Sequence, residues 1–281
     1  MKDNMIIKHT RFVDSHVHLD HIQKDRPERI DWLKQEMCLP VSWAFSRRTE
    51  CEADLRRYLQ RQAEAIREIN ECGLKCFYLS GVHPRNISPD LCPERLQEMI
   101  LPFLDDPLCI GIGEIGLETG STHEREVFSS QMEMASEVAQ RKKVFGIHTP
   151  REKKSEITSR TLSLLESFLP WRDRIVIDHC TDRTIGEVLG LGYWAGVTIS
   201  PVKASFRDLQ EIIKDYPESL DRIMLNTDSG SCYYEDLYLY SCSKESDGSL
   251  KQDLTRKNAL HFFGIDREEE KLADILRATG P

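Results

Sequence analysis

Phe12-Val13-Asp14-Ser15-His16-Val17-His18 is an apolar run that ends in two histidines one residue apart. Read as a strand, its side chains alternate between faces, so His16 and His18 point one way and Val17 the other. Two imidazoles on one face can hold one metal ion. They suit zinc, iron, copper or nickel and supply half of a tetrahedral shell. The other ligands must come from elsewhere in the chain, and a pair of packing histidines is the competing reading of this stretch alone.

The rest of the chain repeats the rhythm that this run begins. Short apolar, β-branched runs stand at 8–16, 39–46, 74–83, 108–116, 143–149, 174–180, 193–200 and 221–227. Helical patterns separate them at about 27–37, 52–72, 93–104, 123–142, 155–168, 182–190 and 205–215, with a final pair near 252–263 and 266–278. Within 123–142, Val127, Phe128, Met132, Ala135, Val138 and Ala139 recur at three-to-four spacing, the stripe of a helix packed on a sheet. Eight strand–helix units predict an α/β chain folded as a single (β/α)8 TIM barrel, one domain over 1–281. The irregular stretch is Asp228 to Lys251, where Ser, Gly, Tyr and Asp crowd together. It reads as a long loop, either functional or a surface excursion.

Composition narrows the class. At 281 residues and 40% apolar content, the chain can bury a substantial core. No run approaches the roughly 18 apolar residues of a membrane span. Met1-Lys2-Asp3-Asn4 leads into no signal-like segment, so the expectation is a soluble, cytoplasmic protein with no membrane partner. The nine cysteines are odd in number, scattered and without a C-x-x-C pair, which speaks against a disulfide framework or a thiolate zinc site. Most are expected as small buried hydrophobes. A net charge of −9 argues against a broad basic face for nucleic acid. It leaves room for a local basic pocket, since divalent ions can themselves neutralise a phosphate.

In a barrel, chemistry collects at the C-terminal ends of the strands. His16 and His18 end the first run, His83 the third, Glu114 the fourth, His148 the fifth, His179 the sixth and Asp228 the eighth. Metal-binding residue types at six of eight strand ends, above otherwise apolar strand interiors, are hard to obtain from packing alone.

The blocks around these residues are Val13-Asp14-Ser15-His16-Val17-His18-Leu19-Asp20, Gly81-Val82-His83-Pro84, Gly111-Ile112-Gly113-Glu114-Ile115-Gly116-Leu117-Glu118, Ile147-His148-Thr149, Asp178-His179-Cys180 and Asn226-Thr227-Asp228-Ser229. In this order, across nearly the whole chain, they resemble the TatD-related metal-dependent hydrolases of the amidohydrolase superfamily. Residues 143–154 and 174–203 look more like a little-characterised side branch than like the well-known nucleases. The resemblance implies a site for two divalent ions, with His16, His18 and Asp228 around one, His148 and His179 around the other, and Glu114 bridging. Zinc is the expected metal, and manganese, magnesium, iron and nickel also suit these donors. Two such cations about 4 Å apart would share a water, lower its pKa and stabilise charge on a phosphoryl or carbonyl oxygen. Asp228 is expected to act as general base as well as ligand, with Glu114 the second catalytic carboxylate.

The expected activity is that of a TatD-like deoxyribonuclease, hydrolysing phosphodiester bonds at DNA ends. The alternative is a small-molecule ester, lactone, amide or phosphoester hydrolysed on the same metal site, and a third is a binding scaffold without turnover. Departures from the family pattern bear on the substrate. Arg85 replaces a second histidine after the His-Pro pair, Glu118 an aspartate, and Ser229-Gly230 the proline after the last aspartate.

Several neighbours carry weaker expectations. His83 is expected to face substrate or orient a ligand rather than to ligate. Arg85 and Arg151, with Lys153 and Lys154, are expected to receive an anion, the alternative being a solvated helix start. Asp14 and Asp178 are expected to face away from the ligand histidines and bond to neighbouring loops, while Glu118 either carries a proton or is a surface charge. Tyr233, Tyr234, Tyr238 and Tyr240 read as packed on the barrel rather than as a stacking platform for bases. His9, His21, His123 and His261 read as structural or surface residues, and the four tryptophans as packing. The pattern does not set the oligomeric state.

Overall fold

The computed structural model describes residues 9–244 and 248–265. Its strands are β1 (Phe12–Val17), β2 (Cys38–Trp43), β3 (Phe77–Ser80), β4 (Cys109–Gly116), β5 (Val144–His148), β6 (Ile175–Ile177), β7 (Trp194–Thr198) and β8 (Ile223–Asn226). Each neighbours the next in chain order, and every pairing is parallel. The last strand returns to the first. Asp228 N–H donates to the His16 carbonyl at 3.0 Å and His18 N–H to that of Ser229 at 2.8 Å, closing the ring as a (β/α)8 TIM barrel. Parallel strands need crossovers, and the helical patterns between the eight apolar runs supply them.

The helix over Glu52–Glu71 shows why these segments form where they do. Its buried Leu55, Leu59, Ala63 and Ile66 recur every three or four residues and turn one stripe to the barrel. The expected helix over 123–142 is two helices, Thr122–Met132 and Ala135–Gln140, with Ser121 capping the first by accepting from Glu124 N–H. Around 93–104 the chain breaks into short turns, Pro93–Arg95, Leu96–Ile100 and Leu101–Asp105, two of them opening on a proline in the first turn. A short helix over Leu19–Asp25, directly after His18, was hidden by its mixed composition. The stretch 228–251 is no bare loop: Asp236–Cys242 is helical, with Leu237 and Tyr240 buried beneath it. The helix expected near 252–263 is a π-turn, Asp253–Lys257, running into Asn258–Phe262; the one expected over 266–278 lies outside the described residues.

The apolar core has two layers. Most of it lies between barrel and helices. A second cluster fills the lower barrel with Val13, Leu39, Val41, Trp43, Val144, Val176 and Met224, and Leu260, Phe262 and Phe263 of the last described helix pack against it. Trp43 has room because β5 carries Gly146, where a Cβ would stand 2.5 Å from the indole ring. Above Trp43 the barrel turns polar. Of the cysteines, only Cys38, Cys76, Cys109 and Cys180 are buried, so the expectation for most of them fails; Cys72, Cys232 and Cys242 are exposed, and all nine are free thiols. Among the described residues no helix is long and apolar enough to cross a membrane.

Candidate metal centre

A register irregularity in β1 between Asp14 and Val17 interrupts the alternation that points Val13 into the barrel, and it places the first two donors. Val17 packs outward into the larger core cluster, while His16 and His18 turn into the barrel mouth. The His16 ring is fully buried and stacks on Trp43 with centroids 4.1 Å apart. Its Nδ1 lies 2.5 Å from Asp178 Oδ2, so Nε2 is the nitrogen that faces the centre. Asp178 therefore points inward, against the expectation that it faces away. The chain leaves the extended path directly after it, with His179 in the left-handed region at φ 59°. Gly196 on β7 makes the space, because a Cβ there would stand 2.0 Å from Asp178 Oδ1. The Asn226 amide donates to that same oxygen at 2.8 Å.

The other histidines are oriented just as firmly. His18 Nδ1 is 2.9 Å from the Trp43 carbonyl, which requires the proton on Nδ1 and turns the Nε2 lone pair towards Asp228 Oδ1 at 3.3 Å. His179 Nδ1 meets Thr198 Oγ1 at 2.8 Å, and its Nε2 lies 3.4 Å from Glu114 Oε1. His148 spans two carboxylates, with Nδ1 2.6 Å from Glu114 Oε1 and Nε2 2.8 Å from Glu118 Oε2. His83 Nδ1 accepts from Arg85 N–H at 3.0 Å, so its proton sits on Nε2, 3.5 Å from Glu114 Oε1. A protonated Nε2 in that position orients Glu114 and offers no lone pair to a cation.

Glu114 is the hub. It is buried, and its other oxygen, Oε2, lies 3.2 Å from His16 Nε2. Burial alone would raise its pKa, but His16 and His83 beside it outweigh that and hold the carboxyl well below the usual range. Burial likewise opposes charge on His16, and Glu114 and Asp178 reverse it, lifting the ring to about 10. The centre is thus a pocket of negative potential that demands a positive charge. Two donor groups each converge within 4.8 Å, His16, His18 and Glu114, and His16, His179 and Asp228; His83, Glu114 and His148 come equally close, with His83 there as the orienting partner. His16 Nε2 is buried without a hydrogen-bond partner despite its nearness to Glu114. An orphaned imidazole nitrogen amid carboxylates fits a divalent cation of the kind His and carboxylate ligands take.

Lys203, for which the sequence carried no expectation, and Lys154, expected among the anion-receiving cations, complete the centre. Lys203, in the loop after β7, sets its Nζ 2.5 Å from Asp228 Oδ2 and 2.9 and 3.2 Å from the two ring nitrogens of His179. Lys154 donates to Thr149 Oγ1 at 2.9 Å and to the His179 carbonyl at 2.7 Å; burial lowers it to about 8. Lys203 is the first basic residue after the seventh run, and that was its only signal. Asp228 itself stands in the left-handed region at φ 51°, a strained backbone for an aspartate at the end of a strand. Asp14 behaves as expected, accepting from Thr227 N–H, Thr227 Oγ1 and Tyr233 O–H away from the centre.

The centre forms the floor of a cavity of about 690 Å³. Arg47, Arg85, Arg151, Lys154 and Lys203 line it, so an acidic chain presents five cations around its barrel mouth. Lys153 is not among the lining residues, and Arg85 pairs with Glu118 at 2.7 Å. Glu118 is therefore no free surface charge: burial would raise it, and its bonds to His148 and Arg85 bring it down to about 2. His21, expected as a structural or surface residue, also lines the cavity, whereas Tyr233 and Tyr240 are buried against the barrel and do not.

A parallel barrel with histidines and carboxylates gathered at its C-terminal strand ends has the donors of a metal centre. A family model described as TatD related DNase matches residues 13–234, and the chain belongs to that family. An uncharacterized metal-dependent hydrolase of Methanocaldococcus jannaschii is 24% identical over 220 residues, 78% of this chain and 84% of that one. The crystal structure of a TatD-like protein from Archaeoglobus fulgidus superposes with a TM-score of 0.70 at 29% identity, covering 90% of this chain and all of that one. The fold alone is shared with a β-aspartyl dipeptidase from Fervidobacterium islandicum, at 13% identity and a TM-score of 0.61 over 90% of this chain and 72% of that one. The chain is a TatD-type metal-dependent hydrolase.

Proposed function

We propose that this hydrolase cleaves phosphoester bonds and that its substrate is the end of a single-stranded DNA, taken one terminal nucleotide at a time. The observation that carries this reading is the cavity. Five lysine and arginine side chains surround a buried cluster of histidines and carboxylates in a space of about 690 Å³. That volume suits one nucleotide or a small ligand and offers no groove for a long duplex. The net charge of −9 on the whole chain supports the same restriction.

In this reading His16, His18 and Asp228 hold one divalent ion, His148 and His179 a second, and Glu114 serves both, zinc being the metal that suits the donors best. Such ions would acidify water and stabilise the charge that develops on the phosphoryl oxygens. The chain's own residues do the rest. Asp228, ionised and at the cavity edge, takes the proton of the attacking water. Arg151 and Lys154 hold the phosphoryl group, Arg85 reaches it from its pair with Glu118, and Asp178, Trp43 and Thr198 keep the histidine rings from rotating.

The test is end-labelled single-stranded DNA incubated with chelator-treated protein, before and after zinc, manganese or magnesium is restored, beside Asp228→Asn. Shortening from one end that returns with metal and falls at least about a hundredfold in the variant is the expected result. Full activity of Asp228→Asn would remove this mechanism. The Arg85–Glu118 pair favours a second reading, a small phosphorylated or ester substrate, because it occupies one of the cations that would otherwise receive DNA. Metal-loaded protein that leaves DNA intact yet hydrolyses small phosphoesters would establish that second reading.

A further inference from the structure

Asp228 divides its two oxygens between different partners. Oδ1 faces His18 Nε2 at 3.3 Å and His16 Nε2 at 3.7 Å, while Oδ2 meets Lys203 Nζ at 2.5 Å. The same ammonium sits against both ring nitrogens of His179, at 2.9 and 3.2 Å. Lys203 thus stands where His179 and Asp228 converge with His16, one of the groups of donors that fit a cation. We propose that Lys203 is the counter-cation of Asp228 and His179 and that, once divalent ions have taken these two groups, its ammonium turns into the cavity to bind the substrate's phosphoryl oxygens.

The argument is one of charge and of which partner can move. An ammonium and divalent ions cannot share these acceptors, since like charges about 4 Å apart repel by several kcal/mol at the dielectric of a protein site. Asp228 and His179 are the fixed partners: both stand on left-handed backbone, and Thr198 Oγ1 holds the His179 ring. The loop that carries Lys203 is also pinned, by Ala204 N–H on the Thr198 carbonyl at 3.1 Å and Lys203 N–H on that of Ser200 at 3.1 Å. What remains free to rotate is the four-carbon stem of the lysine. That stem opens onto the cavity beside Arg151 and Lys154, so the displaced ammonium arrives among the other cations that an anion would meet.

The inference rests on the proposed metal centre, and binding measurements separate the two. Manganese affinity is measured by chelator competition for wild type, Lys203→Met and Lys203→Arg, and inorganic phosphate is then titrated into each manganese-loaded protein by calorimetry. Lys203→Met is expected to bind manganese at least about tenfold more tightly and phosphate at least about tenfold more weakly, with Lys203→Arg close to wild type for phosphate. Manganese bound no more tightly by Lys203→Met would mean that the lysine holds Asp228 for the metal rather than competing with it, and would overturn the proposal. Unchanged phosphate affinity would also overturn it while leaving the metal centre intact. A chain that binds no metal in any form would overturn both. Should Lys203→Met fail to fold by circular dichroism, Lys203→Gln makes the same comparison.

Discussion

Asp178 Oδ2 and His16 Nδ1 lie 2.5 Å apart in a fully buried contact, and that contact decides which nitrogen of His16 faces Glu114. A histidine at a metal centre is useful only in one tautomer and one ring orientation, and a carboxylate behind the ring sets both. Asp178 is itself held by Asn226 and fits only because Gly196 has no side chain.

Asp178→Asn should leave the fold intact, as judged by circular dichroism, and weaken metal binding by about ten- to a hundredfold in a chelator competition. Metal affinity equal to wild type would mean that Trp43 stacking alone orients the His16 ring.

The two ends of the barrel should respond differently to substitution. Leu260 is buried against the lower barrel, far from the donors. Leu260→Ala should cost about 2–5 kcal/mol in urea unfolding while metal content stays that of wild type. Loss of metal at unchanged stability would contradict this division of the barrel into a stabilising floor and a functional mouth.

Removing metal should destabilise the fold. Carboxylates and histidines packed together repel or strip protons from solvent unless a cation neutralises them. Restoring zinc or manganese at about a hundred times its dissociation constant should therefore add about 2.7 kcal/mol to the unfolding free energy, read as a concentration-dependent rise in Tm. A Tm indifferent to metal would speak against a cation among these residues.

His21 gives an acid-side signature in chelator-treated protein. Burial, with His18 and Arg47 nearby, pushes it down to about 3. Between that value and the ordinary histidine pKa, the unfolded chain takes up a proton that the folded chain refuses. Stability must then fall as pH drops through this window, by at most roughly 1.4 kcal/mol per pH unit for one proton. His21→Gln should show a shallower loss of stability than wild type between about pH 6 and about pH 4.5. Parallel slopes in urea titrations of the two proteins would refute the assignment.

Much of this protein was legible in its sequence because two periodicities carry the fold. Alternation of two put His16 and His18 on one face, which the register irregularity between Asp14 and Val17 turns inward, and the three-to-four stripe over Glu52–Glu71 marked a helix on a sheet; eight repeats of that pair leave the closed barrel as the economical solution. Strand ends and their polar residues follow from the same count, which is why Glu114, His148, His179 and Asp228 stand out in the sequence alone. Tertiary structure alone decided the partners. Lys203 comes from the loop after β7 to meet Asp228 from the end of β8, and Asp178 turns back to His16 only because His179 takes a left-handed backbone. Periodicity reports which face a side chain takes; it carries no record of which distant group stands opposite, because that depends on barrel closure, on loop turns and on the space a glycine such as Gly196 leaves empty.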